Sequence, residues 1–175
     1  MAQVVIFEIA ISSDYPDGGV SVTIPSYSDN LRPKDDTDDA LLQRTVDLSV
    51  LGRRDSKGNP ICKDGVYHIV DEAVIPTDRG FRAAWIIDNN QVIVSMDKAR
   101  VIHMDAIRVA RDAQLASLDV PWMKAVEAGD TDAQATIATE KQTLRDIPAT
   151  FDITTDVVTP AQLRGRWPAE LPVRE

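Results

Sequence analysis

From Met96 to Val120 the chain runs without Gly or Pro, and Val101, Met104, Ile107, Leu115, Leu118 and Trp122 recur there at steps of three, four and eight. That spacing places them on one face of an amphipathic helix. Ser95 and Asp97 stand where an N-cap belongs, and Gly129 supplies a C-terminal stop. Thr131 and Gln134 then have the spacing of a capping box for a second helix, which Pro148 is expected to end because a residue before proline is pushed out of the α region. Two helices spanning roughly 96–126 and 132–146, packed antiparallel through their short connection, are the prediction.

The first half has a different rhythm. Val4 to Ile11 is β-branched and aromatic with Glu8 its one charge, which reads as a strand buried on both faces or sealed against a neighbour. Placed beside the chain start, it is expected to form an exposed edge that another chain covers. Tyr15 to Gly19 is a turn, and Val20 to Ile24 alternates apolar and polar, so a hairpin is expected. Asp35, Asp36, Asp38 and Asp39 precede Ala40-Leu41-Leu42, as carboxylates do at the positive end of a short helix. Asp47 to Val50 and Val66 to Val70 read as strands on either side of the turn Asp55 to Pro60. Thr77-Asp78 is expected to open a short helix through Trp85, and Gln91 to Val94 to form a last strand. Thr159-Pro160 marks the start of a short helix ending near Gly165. Strands first and long helices last predict an α+β fold, with a β-rich part over 1–94 and a helical part over 95–175.

Ile102-His103-Met104-Asp105-Ala106-Ile107-Arg108-Val109-Ala110-Arg111-Asp112 leads into Leu118-Asp119-Val120-Pro121-Trp122-Met123-Lys124-Ala125-Val126-Glu127-Ala128-Gly129-Asp130, and Lys141-Gln142-Thr143-Leu144-Arg145-Asp146-Ile147-Pro148 follows. These stretches, with Asp71 to Trp85 before them, resemble small proteins encoded in the tail modules of tailed bacteriophages and prophages, often beside tail-fibre genes. The resemblance spans roughly residues 66 to 170, and Gly80 stands where those proteins carry a larger polar residue. It implies a viral tail setting, with assembly in the host cytoplasm. Nothing in the first 65 residues takes part in it.

Composition narrows the partners. The 28 acidic residues exceed the 19 basic ones, giving a net charge of −9, and the basic residues are dispersed among acidic neighbours. Nucleic acid and anionic membrane surfaces both require clustered Lys and Arg, so neither is expected as a partner. No apolar run approaches the ~20 residues of a membrane span. Cys62 is the single cysteine, which leaves no internal disulfide.

The residues that could carry chemistry do not assemble into a motif. The aspartates at 35 to 39 lack the central Gly and terminal Glu of a calcium loop. His68 and His103 lie on separate elements, without the three or four ligands of a zinc site. Cys62 with His68 could be imagined as a thiol and its base, but no motif surrounds them. Gly18-Gly19 lacks the Lys-Ser/Thr of a phosphate loop. No catalytic, cofactor-binding or metal residue is therefore expected. The sequence predicts a non-enzymatic structural component of the distal tail or fibre in the virion, with other tail proteins and copies of itself as partners. The alternatives are a tail-fibre assembly chaperone absent from the mature particle and a virion-associated enzyme degrading cell-envelope polymers. Trp122 and Trp167 are candidates for contacts with another chain.

Overall fold

The computed structural model describes residues 2–26 and 37–173. The chain is α+β, and it divides into two compact units, Met1–Ser95 and Met96–Glu175.

In the first unit, β1 (Gln3–Ile9) lies between β2 (Gly19–Thr23) and β3 (Cys62–Asp71) in an antiparallel sheet. The expected strand at 4–11 is real and buried on both faces, but it is the central strand and not an edge. Ile6 stands opposite Val22 on one side and His68 on the other. Its continuous apolar run follows from this position, because successive side chains point to opposite faces and both are covered. Val5 and Phe7 pack with Leu42, Val46 and Val50, while Val4 and Ile6 pack with Val20, Trp85 and Val92.

The first of these layers comes from α1 (Asp38–Thr45) and a π-helical segment, Val46–Leu51, which continues it. The strand expected at 47–50 does not form. Leu42, Val46 and Val50 recur every four residues, and with α1 already started by the Thr37 hydroxyl capping the Ala40 N–H at 3.1 Å, helical winding carries on and buries all three. Asp35 and Asp36 lie outside the described residues; Asp38 and Asp39 sit in the first turn of α1.

The opposite layer is the hairpin of β4 (Trp85–Asp88) and β5 (Gln91–Val94). Asn89 and Asn90 make its two-residue turn with φ of 48° and 61°, the left-handed conformations this type of connection requires. The helix expected from Thr77 to Trp85 shrinks to one tight turn at Arg82–Ala84, and Trp85 opens β4. Pro76 and Gly80 interrupt winding there, and the Asp78 carboxylate accepts from the Gly80 N–H at 2.9 Å, a local turn that competes with a helix.

The second unit contains α2 (Met96–Ser117), α3 (Asp119–Ala128), α4 (Thr131–Thr150) and α5 (Pro160–Gly165). The helix expected over 96–126 breaks at Leu118. Pro121 has no N–H for the Ser117 carbonyl and its ring crowds that position, so Leu118 tightens onto Leu115 before α3 resumes. Lys141 pairs with Asp119 at 2.7 Å and the Gln134 amide reaches the Ala125 carbonyl at 3.2 Å, which sets α4 antiparallel to α3. Gly129 closes α3 at φ 66°. The cap of α4 is Asp130, whose carboxylate accepts from the Ala133 N–H at 2.9 Å, and not the Thr131–Gln134 box, since Gln134 is engaged with Ala125. Pro148 does not end α4. It falls in the last turn, where it costs a single ladder bond, while Leu144 and Ile147 anchor the turn in the core. Ala99, His103 and Ile107 form the buried seam of α2, and Val101, expected in it, is exposed.

Candidate interaction surface

Strand β3 is irregular where its chemistry collects. Phe7 pairs with Tyr67 but Ile9 pairs with Cys62, so Lys63 to Val66 bulge out opposite Glu8. Asp64 and Gly65, at φ 54° and 67°, make the reversal. Beside this bulge, Glu8, Lys63, Asp64, Val66, His68 and Ile87 line a hollow of about 230 Å³. Lys63 Nζ donates to Glu8 at 2.7 Å, and that bond, with the nearby Asp64 charge, raises the Lys63 pKa. Beyond the bulge, Tyr67 to Asp71 pair with β1 on one side only, so among the described residues β3 is an edge strand.

The structure separates Cys62 from His68. Cys62 is buried with Phe7 and Val46 on one face of the sheet. His68 lies opposite Ile6, whose side chain packs on the other face, and cross-strand partners share a face. The Cys62 thiol donates to the Val66 carbonyl at 3.3 Å, and burial, with the Asp64 charge second, pushes its pKa up. A thiol held this way is protonated and a poor nucleophile. Gly18 and Gly19, at φ 63° and 125°, belong to the connection into β2.

His103 is fully buried in the second unit. Its Nε2 lies 2.6 Å from the Arg166 carbonyl oxygen, which can only accept, so Nε2 carries a proton. The Trp167 ring meets it edge-on at 5.8 Å, and the Trp167 indole N–H donates to the Pro172 carbonyl at 2.9 Å. Arg100 reaches the Val157 carbonyl at 3.0 Å. With Ile153, Val157, Leu163 and Leu171 buried, these bonds fasten residues 151–173 in the unit's own core. His103 is thus structural, and Trp167, half-buried, is tied to the same core through His103 and Pro172. Trp122 is half-buried under Lys141, whose Nζ lies 5.8 Å from the ring centroid.

The short helix α3 inverts the usual distribution. Ala125 is its one buried residue, whereas Val120, Met123 and Val126 are 61%, 55% and 45% exposed. Val101 and Val109 are likewise exposed on α2. Sequence reasoning placed neither surface, because a sequence marks apolar residues but not which of them the fold leaves outside. The Asn89-Asn90 pair between Ile86-Ile87 and Val92-Ile93 was a legible hairpin signal. Among the described residues no group of three or more His, Cys, Asp or Glu could hold a metal, and no helix is long and apolar enough to cross a membrane. Comparison with protein-family models, curated proteins and solved structures returns no match.

Proposed function

We propose that this chain is a non-enzymatic structural component of a bacteriophage tail, in its distal or fibre region, acting through contacts with other tail proteins. The observation that carries a contact role is the outward face of α3, where Val120, Met123 and Val126 stay in solvent while the core takes only Ala125. Exposed aliphatic side chains gathered on one element mark interaction sites. The tail setting rests on the resemblance of residues 66–170.

A second reading, a fibre-assembly chaperone, is favoured by one feature of the same face. Lys124 and Glu127 interleave with Met123 and Val126. Permanent interfaces are depleted of charge at their core, whereas reversible ones tolerate it. Mass spectrometry of purified particles separates the two. The structural reading expects peptides of this chain at several copies per particle. Their absence from particles, with the chain present in the producing lysate, would replace it with the chaperone.

A further inference from the structure

We propose that the edge of β3 over Tyr67 to Asp71, unpaired among the described residues, accepts an extended, basic segment of another protein chain as an added strand, with one Lys or Arg of that segment seated in the hollow beside Asp64. The inference rests on the reading of this chain as a protein-binding component and names the kind of partner.

Natural edge strands are protected by bulges, prolines or lysines. Here the protection covers half of the strand. The bulge at Lys63 to Val66 spoils pairing there, but Tyr67-His68-Ile69-Val70-Asp71 contains no Pro, no Lys and no bulge. Ile69 remains 41% exposed along it, and Val66, at the end of the bulge beside it, 55%, both open to the side chains of an incoming strand. Added strands take affinity from main-chain hydrogen bonds and specificity from pockets for alternate side chains. The hollow is such a pocket. Val66 and Ile87 offer an apolar wall to an alkyl stem, and of the two carboxylates only Glu8 is neutralised by Lys63. A second copy of this chain, at a net charge of −9, is the poorer occupant.

The test is NMR of the full-length ¹⁵N-labelled protein titrated with three synthetic ten-residue peptides. One alternates Val with Lys, one alternates Val with Glu, and one is the Val/Lys peptide N-methylated at alternate amides. Amide shifts confined to residues 63–71 and a preference of about fivefold or more for Lys over Glu are expected, the size one partly exposed ion pair supports. N-methylation should abolish binding, and Asp64→Lys, on an exposed turn, should remove the preference without altering the circular dichroism spectrum. Equal binding of all three peptides, or shifts centred on α3, overturns the proposal. So does light scattering that finds a dimer of the free chain dispersed by Ile69→Lys, because a second copy would then hold the edge. Particle mass spectrometry reads the tail assignment without involving this edge, so either idea can fail alone.

Discussion

Asp14 joins two loops that lie 42 positions apart in the chain. Its carboxylate accepts from the Ser56 hydroxyl at 2.7 Å and from the Ser56 N–H at 2.6 Å, and these bonds hold its pKa below the ordinary aspartate value. A carboxyl whose folded pKa is depressed stabilises the fold above its unfolded pKa of about 3.9 and loses that contribution as pH falls through the folded value. Asp152, which accepts from the Thr154 hydroxyl and from the Thr154 and Thr155 N–H groups, is depressed in the same sense. Asp14→Asn should therefore melt below the parent at pH 7, and the gap should narrow as the pH is lowered below about 4. A gap that stays constant across that range would show that the Ser56 bonds do not depend on the charge of Asp14.

At the scale of elements, what the sequence revealed depended on how local the determining signal was. Thr159 with Pro160 predicted α5, and the helix starts there, its cap closed into a box by Gln162, because caps are settled within four residues. The run at 4–11 marked a strand buried on both faces and the turn at 15–19 its hairpin with β2, yet nothing nearby could say that β3 would take its other side, since that partner is a distant segment. The same limit hid the β3 edge and its hollow, which exist only once Glu8, His68 and Ile87 are brought together. Asp47 to Val50 read as a strand, and the four-residue spacing of Leu42, Val46 and Val50 prevailed, winding 46–51 as a π-helical segment. That segment depends on Gly52 for its exit. A Cβ there would stand 2.7 Å from the Asp47 carbonyl oxygen and 2.9 Å from that of Leu48, both backbone atoms of the winding itself. Gly52→Ala should thus cost about 1–3 kcal/mol, the range for overpacked sites. Urea denaturation measures it, and an unchanged midpoint would show that the π-helical turn can loosen freely.

For the molecule as a whole, each of the two units buries apolar side chains of its own. Val4 to Phe7 is buried with α1, the π-helical segment and the β4–β5 hairpin, whereas Ile107, Leu118, Leu144 and Leu163 are buried in the second unit. Each unit should unfold as a piece, since cooperativity follows packing shared within it. Leu118 is the place to test it. It lies at the break between α2 and α3, is 9% exposed, and receives the tightened turn from Leu115. Leu118→Asp removes a buried aliphatic side chain and sets a desolvated charge in its place, a loss on the order of 3–5 kcal/mol against a total stability of ~5–15. Hydrogen exchange on that variant should find the amides of α2 and α4 unprotected while those of Val4 to Phe7 keep their protection. Trp85 gives a second probe, as the one tryptophan of the first unit. With Trp122 and Trp167 replaced by Phe, its emission should stay unchanged when Leu118→Asp is introduced. Loss of protection in β1 together with the helices would mean that the two cores stand or fall as one, and that the division at Ser95 is geometric without being energetic.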